Sequence, residues 1–255
     1  MTLTLTPVTT IPEVKPGDHL SNLIIEGLEM QGISLNDNDI LVVTQKIVSK
    51  AEDRFVNIST IIPSDDALEI AKISRKRPQL IELILRESKK VIRVSKRTII
   101  TEHKLGFVSA NAGIDHSNVN GEWGKKADWY LLLPKNPDFS AREIRSYINS
   151  TKTVNIGVLI IDSHGRSWRY GTVGTMIGTA GVPALVDLRG KKDLYGYKLK
   201  ITRVAAADEL AGAASLIMGQ ASEKIPVVHV RGFPYPLRDA CLSEIIRPEE
   251  KDLFR

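Results

Sequence analysis

The sequence predicts a protein of mixed α and β structure, in the α+β class. Three observations carry that expectation. Residues 19–30 and 78–85 place apolar side chains at helical spacing, whereas residues 40–44 and 154–161 are short, β-branched, apolar runs of strand length. The stretches between them are broken by glycine and polar turn residues, and no period of about 20 to 50 residues repeats along the chain.

Taken in order, residues 11–18 read as a loop. Residues 19–30 then form a helix with Leu20, Leu23, Ile24 and Leu28 on one face and Gly32 at the position of a C-terminal cap. The run 40–44 is a buried strand bounded by the 36–39 turn cluster, and its end delivers Gln45, Lys46, Ser49 and Lys50. Ser64, followed by Asp65 and Asp66, opens a second helix, because acidic side chains are stabilised by the unpaired amides of a first turn. A third helix follows Pro78 and carries Leu80, Ile81, Leu83, Ile84 and Leu85.

Residues 91–100 and 104–110 read as strands, and the polar stretch 111–124 reads as lying outside the core. Ser140 with Glu143 three residues on has the pattern of a capping box, which opens a helix through Ile144, Tyr147 and Ile148. Residues 154–161 form the clearest buried strand. Beyond it come glycine-punctuated loops over 165–196, a strand at 198–205, a small-residue helix at 208–218 and a strand at 226–230.

The bulk properties narrow the class of function. With 255 residues, 42% hydrophobic and 25% charged, the chain is long enough for one large domain or two small lobes with real cores. Its single cysteine, Cys241, excludes an internal disulfide, and no Cys/His cluster has zinc-ligand spacing. The first ten residues lack a basic stretch followed by an apolar one, and the run 156–161 is far too short to cross a bilayer, so a cytoplasmic protein with no membrane partner is expected. The net charge of +5 suggests an anionic partner; with aromatics at 5% and no basic stripe, phosphorylated small molecules suit it and nucleic acid is not expected.

Three polar clusters fall where ordered elements give way to loops, the usual place for functional groups. Around Asp115, amides and a hydroxyl surround a carboxylate, an oxygen-rich supply suited to Mg²⁺ or Mn²⁺; an Asx turn involving Asp115 and Asn118 is the plainer reading. Asp162, Ser163 and Arg166 follow the strongest strand, so a metal on the first two with the guanidinium facing phosphate is coherent, beside the alternative of a simple strand-to-loop turn. His164 is given no role, since a lone histidine in a turn is more often solvated or hydrogen-bonded. Ser49 and Lys50 resemble the end of a phosphate-binding motif without its preceding glycines; Lys50 is either a point charge for phosphate or a solvated lysine. The small residues from Met218 to Lys224 allow close approach of a ligand to the main chain, or form only a cap and turn.

Read together, the segments IPEVKPGD (11–18), VVTQKIVSKAE (42–52), NAGIDHSNV (111–119), IIDSHGR (160–166), KDLYG (192–196), ADE (207–209), Met218-Gly219 and VRG (230–232), with the 171–181 loop, resemble the coenzyme F420-0:L-glutamate ligase family, in unbroken order over about 8–235. The resemblance implies a GTP-dependent enzyme that phosphorylates the terminal carboxylate of the coenzyme precursor and lets the amine of L-glutamate displace phosphate, with further γ-linked additions possible. It implies Asp115 and Asp162 on one divalent ion, Ser163 and Gln220 on a second, and K⁺ as a further candidate ion. By matching position, nucleotide falls to Ile11, Pro12, Glu13, Val14, Gln45, Lys46, Lys50, Asn118, Met218, Gly219, Gln220, Ala221, Ser222, Glu223, Lys224 and Ile225, with Lys50 on phosphate. Asp115, Asp162 and Lys50 are the expected catalytic residues.

Gln220 is a neutral ligand where some relatives carry a carboxylate, and Ser163 stands where threonine is common. The resemblance further implies a family-specific fold, an interlocked homodimer of two-lobed chains, and one catalytic unit over 1–255 with no fused second domain. Two other readings stay open: a metal-dependent nucleotide hydrolase using the same aspartates on water, and a basic module making only phosphate contacts.

Overall fold

The computed structural model describes residues 2–119 and 128–253. Its centre is a five-stranded sheet of order β1-β12-β2-β8-β9, built from β1 (Thr4–Val8), β2 (Ile40–Thr44), β8 (Gly157–Arg166), β9 (Arg169–Ala180) and β12 (Val227–Arg231). β2 and β8 run parallel, with Ile40 level with Gly157 and Thr44 level with Ile161; the remaining pairs are antiparallel. Because side chains alternate across a strand, Leu41, Val43, Val158 and Ile160 enter one core, and Ile40, Val42, Leu159 and Ile161 enter the other. Helices α1 (Leu20–Met30) and α5 (Pro137–Lys152) cover the first face, and α6 (Ala206–Met218) covers the second. Coverage on both faces explains why β2 reads as a continuous apolar run.

A smaller body holds α3 (Asp65–Ser74) and α4 (Pro78–Arg86) against a three-stranded sheet of β4 (Ser88–Ser95), β5 (Thr98–His103) and β6 (Val108–Ala110). A short ladder joins β3 (Phe55–Asn57) to β7 (Trp129–Leu131). Ser64 caps α3 through the amide of Ala67, Pro78 opens α4, and the amides of Gly32 and Ile33 close α1 on the carbonyls of Glu29 and Leu28, as their sequence signals require.

Several expectations are corrected. The presumed strand 91–100 is a hairpin: Arg97 adopts φ of 71°, its amide bonds the Ser74 carbonyl, and Ser95 pairs with Thr98 across the turn. The helix read from Ser140 begins three residues earlier, with Asn136 capping the amide of Phe139 and Pro137 in the first turn; Ser140 instead bonds Glu52. The strand 154–161 starts at Gly157 and runs on through Asp162–Arg166, which is therefore strand and not loop. The glycine-rich stretch after it contains the twelve-residue β9. A Cβ on Gly174 would stand 2.4 Å from the Ala211 carbonyl oxygen, and one on Gly178 would stand 2.5 Å from the Pro137 carbonyl carbon, so these glycines let α6 and α5 press onto the sheet.

Of the strand 198–205 only β11 (Arg203–Val204) forms, paired with β10 (Val186–Asp187), while Leu194, Tyr195 and Ile201 stand exposed. β1 and the helix α2 (Gln45–Ala51) had no counterpart in the sequence reading. Within 111–124, Ala112 and Val119 are buried core residues, contrary to expectation; residues 120–124 lie outside the described ones. Among the described residues no helix is long and apolar enough to cross a membrane.

Candidate active site

The parallel register of β2 and β8 decides where the polar clusters meet. Thr44 and Ile161 end level with each other; past them β2 turns into α2 at Gln45, while β8 carries Asp162, Ser163 and His164 outward. Thr44 accepts the Lys46 amide and so fixes the start of α2. The crevice beyond the carboxyl ends of adjacent parallel strands is the usual ligand position in such sheets. Here it opens into a cleft of about 950 Å³, walled by residues 11–14 on one side, 109–119 on another and 218–226 on a third.

Asp115 is the centre of the cleft. Its main chain exchanges both hydrogen bonds with Leu131, which anchors it at the edge of the β3–β7 ladder. Its Oδ2 accepts from Gln45 Nε2 at 2.5 Å and from Lys46 Nζ at 2.5 Å. Gln45 is buried at 1% exposure and is itself held by Ser49, whose hydroxyl donates to Gln45 Oε1 at 2.9 Å. Burial holds the Asp115 carboxyl above the ordinary aspartate range; Lys46 opposes this, and the nearby Asp162 carboxylate adds to it.

Asp162 Oδ2 lies 3.1 Å from His164 Nε2. The His164 ring packs 4.9 Å from Phe107, which stacks on His103 at 5.2 Å. His103 accepts the Leu105 amide through Nδ1, and burial lowers its pKa to about 4, so a neutral imidazole backs the site.

Ser163 Oγ donates to Gln220 Oε1 at 2.7 Å, and Gln220 Nε2 donates to Ser215 Oγ at 3.0 Å, which ties β8 to the loop after α6. That loop is bound across the cleft by Asn118 Nδ2 to the Ala221 carbonyl at 3.0 Å. The Glu223 carboxylate accepts the Ala221 amide at 2.8 Å, and backbone amides hold its pKa below the usual value. Lys50 lines the same cleft. Burial pulls its pKa below that of ordinary lysine, with Glu13 opposing and Lys46 adding, and its ammonium is in no ion pair among the described residues.

Residues 11–14, Lys46, Lys50, Asp115, Asn118, Asp162, Ser163, His164 and 218–225 line this cleft, and Gln45 reaches it by way of Asp115 with Ser49 behind it; Arg166, expected to face phosphate, does not line it, and its guanidinium donates to the Tyr170 carbonyl instead. Among the described residues no three His, Cys, Asp or Glu side chains converge. Asp115 and Asp162 with the Ser163 hydroxyl and the Gln220 amide oxygen are nonetheless hard oxygen donors of the kind Mg²⁺ and Mn²⁺ accept. One participant was missed in the sequence, His164 as the neighbour of Asp162; Glu13, expected only as a nucleotide contact, is also the charge opposing the burial of Lys50. Had 162–166 been read as strand, the i, i+2 spacing would have put Asp162 and His164 on one face.

Fold and cleft define an α+β protein with a lysine-flanked, oxygen-rich site at the carboxyl ends of two adjacent parallel strands. The family model described as F420-0:Gamma-glutamyl ligase matches residues 9–232, and the chain belongs to that family. Curated relatives span it end to end. A protein named Coenzyme F420:L-glutamate ligase from Methanothermobacter thermautotrophicus is 44% identical over 100% of both chains. Proteins of the same name from Methanocaldococcus jannaschii and Archaeoglobus fulgidus are 44% and 39% identical, over 96% and 98% of this chain and 94% and 95% of theirs.

Proposed function

We propose that this chain is a ligase of coenzyme F420 biosynthesis that uses GTP to join the terminal carboxylate of coenzyme F420-0 to the amine of L-glutamate. The observation that carries the reading is the convergence of Asp115, Asp162, Ser163, Gln220, Lys46 and Lys50 on one cleft, in a chain whose family membership spans residues 9–232.

The chemistry demands such a cleft. A free carboxylate is a poor electrophile at neutral pH, so its oxygen first attacks the γ-phosphorus of GTP, breaking the bond to the β-phosphate oxygen and releasing GDP. The resulting acyl phosphate is attacked at carbon by the glutamate amine; the new C–N bond forms, the C–O bond to phosphate breaks, and the amine proton leaves to solvent. Lys50, half-buried and unpaired by any carboxylate among the described residues, neutralises phosphate as two anions approach. Residues 11–14 and 218–225 wall the nucleotide, and the Asn118 bridge to Ala221 ties the 218–225 loop to the segment that carries Asp115. Asp115 and Asp162 would hold one divalent ion and Ser163 and Gln220 a second, which would supply charge neutralisation during phosphoryl transfer, and K⁺ is a further candidate. Exposed Leu194, Tyr195, Tyr197 and Ile201, grouped between β10 and β11, support a homodimer.

The test is mass spectrometry of coenzyme F420-0 incubated with protein, GTP, L-glutamate and Mn²⁺ or Mg²⁺, with ATP and glutamate-free controls. A glutamyl mass increment that needs every component supports the ligase and counts the γ-linked residues added. Nucleotide breakdown without that product replaces it by the hydrolase.

A further inference from the structure

We propose that Lys46 is a resident counter-ion: its ammonium holds the charge position beside Asp115 that a divalent ion takes up, and it must leave that carboxylate for the ion to bind. Ion entry is thereby coupled to phosphate capture through one side chain. The inference rests on the metal-dependent ligase reading and concerns how that site is held before its ligands arrive.

The geometry carries it. Two carboxylates, Asp115 and Asp162, face one partly buried cleft, an arrangement that needs a cation. Lys46 provides it, 2.5 Å from Asp115 Oδ2, with both side chains about three-quarters withdrawn from solvent, at 24% and 22% exposure. The other donor to the same oxygen, Gln45 Nε2, belongs to a buried side chain pinned by Ser49, so it cannot make way. Lys46 can: its long unbranched stem swings the ammonium several ångströms by rotamer changes alone. Lys50 lies one helical turn further along α2 and lines the same cleft, so the two amines share a face of the helix. A divalent ion on Asp115 repels the Lys46 ammonium and turns it toward the side where Lys50 awaits phosphate. Ion and phosphate ligand then raise each other's affinity, as linkage requires.

The experiment measures Mn²⁺ binding to nucleotide-free protein by electron paramagnetic resonance of the free ion. Lys46→Met, which keeps length and removes charge, is expected to bind Mn²⁺ at least tenfold more tightly than wild type, whereas Lys46→Arg stays within about threefold. Equal or weaker binding by Lys46→Met overturns the proposal, as does a wild-type chain that binds no Mn²⁺ at millimolar concentration. A second measurement needs no variant: Mn²⁺ alone should raise the acetylation rate of Lys46 severalfold in the wild-type protein, read by peptide mass spectrometry, and an unchanged or reduced rate refutes the displacement. Neither readout involves turnover. A chain that forms glutamyl product while both readouts stay flat refutes this inference alone; absent product with tighter Mn²⁺ binding refutes only the ligase reading.

Discussion

Replacing Gly174 by alanine adds one methyl group at the junction between sheet and site. The new Cβ would lie 2.4 Å from the Ala211 carbonyl oxygen, 3.0 Å from its carbon and 2.6 Å from Ser215 Cβ, so helix backbone and not a flexible side-chain tip must yield. Overpacking of this kind costs about 1–3 kcal/mol. For a chain of this size each kcal/mol lowers the melting temperature by roughly 2–4 °C, so a drop of about 2–12 °C is expected. The shift also has a functional direction, because Ser215 holds Gln220 and α6 leads into the loop that walls the cleft. The apparent KM for GTP should therefore rise more than that for L-glutamate. Gly212→Ala is the matched control. Its Cβ meets only Val173 Cγ2 at 3.5 Å and the Gly174 oxygen at 4.0 Å, and a helix interior favours alanine over glycine by about 0.5–1 kcal/mol. The two substitutions should thus move stability in opposite directions in the same calorimetric or urea experiment. A Gly174→Ala protein that melts within 1 °C of wild type would refute the claim that backbone contact at this glycine sets the helix-to-sheet distance.

Asp162→Asn should abolish glutamyl transfer in the mass-spectrometric assay while shifting the urea midpoint little, since a carboxylate at the cleft contributes small core area; wild-type turnover would remove Asp162 from the site. Lys50→Ala removes a charge-assisted phosphate contact worth about 1.5–3 kcal/mol, so the apparent GTP requirement should rise roughly 10- to 100-fold with a smaller change for L-glutamate, and equal weakening of both would place Lys50 elsewhere. His103, whose pKa is lowered from 6.5 to about 4 by burial, makes stability pH-dependent: the neutral ring's contribution is complete above the unfolded value and is lost as pH falls from about 6.5 through 4. Urea unfolding from pH 7 to pH 4 should show a loss on the order of 3 kcal/mol from this group, and His103→Gln should remove that part of the slope; an unchanged slope would contradict the buried neutral ring.

Much of the fold was legible because its signals are local. Ser64 before two aspartates, Pro78 before an apolar stripe, and Gly32 after one each act within a single turn of helix, and each is found where its chemistry requires. Runs such as Ile40–Thr44 and Val227–Arg231 announce themselves by β-branched apolar composition, which only a strand buried on both faces accepts. The misreadings share one cause. Gly174 and Gly178 looked like loop residues because glycine is ambiguous until the helix pressing on it is known. Asp162 to Arg166 looked like a turn because polar residues continue a strand only when a partner such as β9 holds them. Arg97 gives no local warning of the hairpin it turns.

The site divides in the same way. The sequence by itself determined the residue types, the order of the motifs and the family, since these are carried by short segments whose chemistry does not depend on where they end up. Only the tertiary structure decided that Asp115 meets Lys46 at a sequence separation of 69, that Ser163 meets Gln220 at a separation of 57, and that His164 faces Asp162. Those meetings follow from the parallel register of β2 with β8 and from the packing of α6 on β9, and long-range register is fixed by which faces can be buried together, a property of the whole chain and not of any window within it.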